Sequence, residues 1–156
     1  MITVIRAKFH GIRVTQADLH YHGSITLDPE LCDAVGILPL EFVEIWNRTN
    51  GQRFSTYVIF GEPASGCCIV NGAAARLVQS GDEIIIAAKA QLTEPQQLYT
   101  LTPRVLTFGE GNTVTGRYRY EVFPNTARAY NFRMIDETSG HAMAVPMSDL
   151  VAASPA

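Results

Sequence analysis

Cysteine is scarce: Cys32, Cys67 and Cys68 are the three in 156 residues. An odd count, with two adjacent and none in Cys-x-x-Cys spacing, excludes a disulfide framework and a zinc ribbon. Apolar runs of the roughly 18–20 residues that a bilayer span requires are also missing. At the N-terminus Arg6 and Lys8 interrupt the apolar run before a signal-peptide core develops. A reduced, cytoplasmic setting with no membrane partner is the expectation. Charge of one sign is lacking as well, since 12 Lys and Arg stand against 15 Asp and Glu, a net −3. That balance offers no electrostatic footprint for phosphate backbones or anionic lipid, so nucleic acid is not an expected partner. Apolar residues make up 47% of the chain and charged ones 17%, which places it among globular rather than disordered sequences. Its length suits one hydrophobic core.

What is present reads mostly as strand. Phe42–Asn47 and Arg53–Phe60 flank Arg48-Thr49-Asn50-Gly51-Gln52, and Asn-Gly tolerates the positive φ of a tight turn, so the two runs are expected to pair antiparallel. Further strands are expected at Ile2–His10, Cys68–Val70, Glu83–Lys89 and Tyr99–Phe108, the last carrying Pro103 at an edge or bulge. Asp28-Pro29 through Gly36 reads as an N-cap, a first-turn proline and a glycine stop around two helical turns. Gly72–Val78, with three alanines, is a second short helix. Many short strands with small helices favour a compact β-barrel over an α/β layered fold. Beyond Asn112 the composition changes. Gly116-Arg117-Tyr118-Arg119-Tyr120 has the arginine and tyrosine of a stacking platform for single strands. The segment's arginines 117, 119, 128 and 133 are matched by Glu121, Asp136, Glu137 and Asp149, which argues instead for a surface strand or partner contact.

Taken singly, the chemistry-bearing residues have ordinary explanations. His20 and His22 would share a strand face, but a metal needs a third ligand and no acidic or histidine cluster sits at a suggestive spacing, so no metal is expected. Cys67-Cys68 reads as small buried hydrophobes. Gly23-Ser24 lacks the second glycine of a hydrolase elbow and alone is a turn dipeptide. Arg53 and Tyr57, four apart on a strand, face one way but stand about 13 Å apart. Asn71-Gly72-Ala73-Ala74-Ala75 would let backbone amides approach a ligand closely, and equally suits a turn into a helix.

Together they form a set. Ala17-Asp18-Leu19-His20-Tyr21-His22-Gly23-Ser24, then Ile45 through Tyr57 with Trp46-Asn47-Arg48-Thr49-Asn50-Gly51-Gln52-Arg53-Phe54-Ser55-Thr56, then Val70-Asn71-Gly72-Ala73-Ala74-Ala75 closely resemble the aspartate 1-decarboxylase family. These are bacterial pyruvoyl enzymes that make β-alanine for pantothenate and coenzyme A. The resemblance runs over about residues 1–112, and three blocks in order with matching gaps are far more specific than any one of them. It implies a six-stranded double-psi β-barrel domain over 1–112, assembled as a homotetramer, with 113–156 left as a C-terminal extension, partly ordered or disordered. That extension exceeds the family's usual length and could cover the pocket mouth or bind a maturation factor.

The resemblance also implies roles. The precursor cuts itself between Gly23 and Ser24, and Ser24 becomes a pyruvoyl cofactor whose ketone condenses with the amine of L-aspartate. Tyr57 is the implied proton donor. Thr56 and Asn71 would support self-cleavage by polarising the Gly23 carbonyl. Lys8 and Arg53 would hold substrate carboxylates, with Thr56 and the backbone of Gly72, Ala73 and Ala74 lining the same pocket. That pocket lies between subunits, which relieves the reach problem between Arg53 and Tyr57. A decarboxylase for glutamate differs by one methylene in its substrate. A non-enzymatic barrel that keeps the fold has no need for Ser24, Thr56, Tyr57 and Asn71 together.

Overall fold

The computed structural model describes residues 1–143; residues 144–156, with Asp149 and the small-residue tail of the expected extension, lie outside the described residues. The fold is mainly β with a few short helices. In chain order the elements are β1 (Ile2–Arg13), β2 (Gln16–Asp18), β3 (Ser24–Leu27), α1 (Pro29–Val35), β4 (Phe42–Asn47), β5 (Arg53–Phe60) and β6 (Cys68–Asn71). A 3₁₀ segment (Gly72–Leu77), β7 (Glu83–Leu92), a 3₁₀ turn (Pro95–Gln97), α2 (Leu98–Leu101) and β8 (Arg104–Phe108) follow. A last 3₁₀ turn (Glu110–Asn112) leads to β9 (Val114–Phe123), β10 (Asn131–Asp136) and β11 (Ala142–Met143).

Hydrogen bonding joins the strands in the order β11-β10-β9-β8-β1-β7-β4-β5-β3-β6-β2, an open succession with β11 and β2 at its ends. Most neighbours run antiparallel, but β1·β8, β2·β6 and β3·β5 are parallel. The core follows from period-two alternation. In β4, Val43, Ile45 and Asn47 are buried while the residues between them are not. Phe9, Ile12, Ile25, Ile45, Ile84 and Ile86 form the body of the core, each contributing about 1.5–3 kcal/mol by leaving water.

The hairpin of β4 and β5 pairs Phe42 with Tyr57 and Trp46 with Arg53. Its turn is wider than the Asn-Gly dipeptide suggests. Gly51 alone takes a positive φ, +80°, and its N–H donates to the Asn47 carbonyl at 2.8 Å. α1 forms as its sequence dictates. The Asp28 carboxylate accepts from Glu30 N at 2.9 Å, and Gly36 closes the helix at φ +85° with its N–H on the Cys32 carbonyl. Asp28 also accepts from Ala64 N and Gly66 N, so one buried carboxylate ties the helix start to the loop before β6.

Three expectations change. Tyr99–Phe108 is not one strand: residues 98–101 are a helical turn, Thr102 is left-handed at φ +44°, and β8 starts only after Pro103. Proline lacks the N–H that would have carried the ladder through. Gly72–Leu77 is a 3₁₀ rather than an α segment. His20 and His22 lie in the exposed turn between β2 and β3, not on a strand. Strands β2, β3, β10 and β11 come in addition, and β9 pairs antiparallel with β8, which continues the sheet past residue 112.

Candidate active site

β3 pairs antiparallel with β6, and the first residues of that ladder are Ser24 and Asn71. Burial changes sharply there: Gly23 is exposed and Ser24 is only 1% exposed. The Asn71 amide nitrogen donates to the Ser24 hydroxyl at 2.9 Å and to the Thr26 hydroxyl at 3.0 Å. Both amide hydrogens are thereby committed to hydroxyls. Ser24 in turn donates to the His22 carbonyl at 3.1 Å. A buried serine oxygen with its proton directed at one carbonyl and a lone pair fixed by an amide is held in one orientation.

Gly72 follows directly, at φ +71°. A Cβ built on it would lie 2.6 Å from Gly23 Cα and 2.8 Å from Gly23 N, far inside contact distance. The glycine is therefore a seat for the backbone at position 23, and the sequence alone suggested only that some ligand could approach there. At Gly23 itself an added Cβ meets nothing within 4 Å beyond its two chain neighbours. On the other side β3 runs parallel to β5 with Ile25 level with Val58, and continuing that register places Thr56 level with Gly23. Thr56 is buried. Gly23, Ser24, Asn71 and Gly72 thus meet where β3 begins and β6 ends, while mid-β5 Thr56 is level with Gly23 and Tyr57 with Ser24.

Tyr57 and Arg53 occupy the opposite face of β5 from Thr56. Tyr57 packs against Phe42, ring centroids 6.0 Å apart. The Arg53 guanidinium stands 4.9 Å above the Trp46 ring, so it is stacked near the hairpin rather than placed beside Ser24. Ala73 is exposed and Ala74 packs on the core's edge.

Lys8 is elsewhere. Within the chain, β1 and β3 are separated by β7, β4 and β5, four strand spacings or about 19 Å measured along the sheet. Lys8 and His10 instead line a cavity of about 330 Å³ with Thr107, Tyr118, Tyr120 and Met134. Burial pushes the Lys8 ammonium below its ordinary pKa. His10 is also lowered, first by burial and then by the positive charges of Lys8 and Arg48, with Glu83 opposing. Among the described residues no three His, Cys, Asp or Glu side chains gather as a metal site, and no helix is long and apolar enough to cross a membrane. Cys32 and Cys68 are buried, and Cys67 is only half-buried, in the loop before β6, which corrects the reading of both adjacent cysteines as core residues.

The sequence model of the aspartate decarboxylase family matches residues 1–115. The aspartate 1-decarboxylase of Rhodospirillum centenum is 65% identical over 140 residues, covering 90% of this chain and 91% of its own length. That of Paramagnetospirillum magneticum is 59% identical over 136 residues, 87% of this chain and 76% of the relative. The chain belongs to the aspartate decarboxylase family. A likeness spread over 140 residues cannot fit within 1–115, so it runs into the C-terminal strands of this family member and reaches beyond the 1–112 segment that the motifs mark.

Sequence reasoning missed three participants: the His22 carbonyl, the Thr26 hydroxyl and the contact between Gly72 and Gly23. The first is a local contact made by the turn into β3, and the second follows only from the β3·β6 register. The third had a signal, a glycine directly after Asn71, but its partner lies some fifty residues away in sequence and is set by topology.

Proposed function

We propose that the chain matures by self-cleavage between Gly23 and Ser24 and then removes the α-carboxylate of L-aspartate as CO₂, giving β-alanine for pantothenate synthesis. The observation that carries the proposal is the buried Ser24 hydroxyl, fixed by Asn71 beside a Gly23 backbone seated on Gly72. Ser24 Oγ attacks the Gly23 carbonyl carbon, the C–N bond breaks, and the Ser24 nitrogen takes up the hydroxyl proton, leaving an ester. Loss of the Ser24 Cα proton with cleavage of the Cβ–O bond releases residues 1–23 with a free carboxylate and leaves a dehydroalanine. Water displaces its nitrogen as ammonia, and residues 24–156 acquire a pyruvoyl cap.

Once formed, that ketone is an electron sink for the pair that CO₂ leaves behind. The chain's own groups do the rest. Tyr57 Oη holds the proton for the carbon that loses CO₂. Arg53 grips a carboxylate with its planar fork, and Thr56 with the amides of Gly72, Ala73 and Ala74 lines the pocket. Lys8 reaches such a pocket only from a second copy of the chain, which accords with a homotetramer whose sites lie between subunits. The parallel pairs β1·β8, β2·β6 and β3·β5 within an antiparallel sheet support a six-stranded double-psi barrel as its centre.

Denaturing mass analysis tests the proposal. Purified protein is expected to separate into residues 1–23 and 24–156, the longer piece with a blocked N-terminus, and to release β-alanine from L-aspartate. Intact chain alone, with no β-alanine under any maturation condition, defeats it.

A further inference from the structure

Self-processing at Gly23 and Ser24 makes no use of the Gly116–Tyr120 run, yet the fold gives it a position. β1, β8 and β9 lie side by side. Lys8 is level with Val105, and Val105 with Tyr118; His10 is level with Thr107, and Thr107 with Gly116. Residues level across a sheet present their side chains to one face. The two basic groups of β1 and the Tyr118 phenol therefore share a face, and the 330 Å³ cavity lies between them.

Gly116 accounts for where the phenol sits. A Cβ at 116 would lie 2.5 Å from Tyr118 Oη and 2.7 Å from Thr107 Oγ1. The missing side chain lets the Tyr118 ring fold along the strand, so that its hydroxyl comes into the row of His10 and Thr107. Lys8, half-buried at the wall, forms no ion pair among the described residues. A desolvated cation facing hydroxyl donors in a part-apolar cavity lacks only an anion.

We infer that this cavity binds a small carboxylate and that Tyr118, delivered by β9, is a specificity-determining residue of it. Lys8 supplies the charge, and the Tyr118 hydroxyl supplies a directional hydrogen bond to the same carboxylate. The inference rests on the reading of Lys8 as a carboxylate-holding residue. It adds that the facing wall is built by residues beyond 115, where the family's sequence model ends. The 140-residue likeness to the Rhodospirillum centenum enzyme extends into that same part.

The test uses two arms. In Ser24→Ala protein, which cannot cleave, succinate is titrated and followed by the NMR signals of Lys8 and His10. Saturable binding is expected, weakened about tenfold by Tyr118→Phe and by Gly116→Ala, the scale of a lost hydrogen bond to a charged group. In processed enzyme, Tyr118→Phe is expected to raise KM for L-aspartate about tenfold, with kcat within twofold and the cleaved fraction unchanged. Tyr118→Phe keeps the ring, so it preserves the packing that Gly116→Ala could disturb. Absent succinate binding, or binding and KM indifferent to Tyr118→Phe, overturns the inference. The succinate arm reads the cavity whether or not the chain cleaves, so its failure is separate from failure of the self-processing proposal.

Discussion

Gly72→Ala isolates the seat beneath the proposed scissile bond. The new Cβ would stand 2.6 Å from Gly23 Cα, whereas carbon atoms at rest lie about 3.5–4.0 Å apart, so one backbone must retreat by roughly 1 Å. Residue 72 also sits at φ +71°, which costs an L-residue on the order of 1–2 kcal/mol. Part of the penalty appears as lost stability, and the rest as displacement of the Gly23 carbonyl from Ser24 Oγ. A misplacement of about 1 Å can slow an aligned reaction roughly a hundredfold. Cleavage followed by intact mass over time is therefore expected to slow by about that factor, in protein whose circular dichroism is unchanged. Gly23→Ala is the counterpart. Its Cβ meets nothing within 4 Å beyond its two chain neighbours, so cleavage should slow far less than in Gly72→Ala. Gly72→Ala cleaving as fast as wild type, or Gly23→Ala proving the more damaging, would refute the reasoning.

Tyr57→Phe should leave self-cleavage intact and slow β-alanine formation strongly; equal turnover by variant and wild type removes Tyr57 as proton donor. Burial, reinforced by Asp28, Asp33, Cys67 and Glu41, pushes the Cys32 thiol up to about 12, and burial raises Cys68 as well. With thiolate the reactive form, only about one Cys32 in ten thousand is ionised at pH 8. A thiol reagent should find one fast cysteine in native protein, Cys67, and three after unfolding; three fast thiols in the native state would contradict the burial. His10 is held below its ordinary 6.5 by burial first, with Lys8 and Arg48 adding and Glu83 opposing. Between that lowered value and 6.5 the unfolded chain binds more protons, so stability rises with pH across the window. It is fully present above 6.5 and lost as pH falls through the folded value. Urea unfolding should thus show a larger loss from pH 7.5 to 5.0 in wild type than in His10→Gln, and equal losses would discount the environment of His10.

Local chemistry was readable where it acts locally. Asp28, Pro29 and Gly36 mark both ends of α1 because capping needs only neighbours in sequence. The alternation in Phe42–Asn47 and Arg53–Phe60 fixes both strands of the hairpin. Ser24–Leu27 is too short for its period to stand out, and it becomes a strand only because β5 and β6 lie on either side. The run from Tyr99 has strand-forming residues, but the left-handed Thr102 and Pro103 divide it. By sequence the Tyr118 run reads as a surface strand or partner contact, because its arginines are matched by acids. Its place beside Lys8 depends on a parallel pairing of β1 with β8, separated by about a hundred residues. For the same reason the chemistry proposed for Ser24 is legible only as three blocks taken together, while the seat that Gly72 makes for Gly23 is a product of the folded topology.

The central claim is that the linkage between residues 23 and 24 rearranges to an α-keto cap. The direct measurement is borohydride reduction of freshly matured protein in the presence of isotopically labelled L-aspartate, followed by peptide mass mapping. Label fixed at residue 24 of the longer fragment is the predicted result. An unmodified serine at that terminus, with no label retained, would contradict the account.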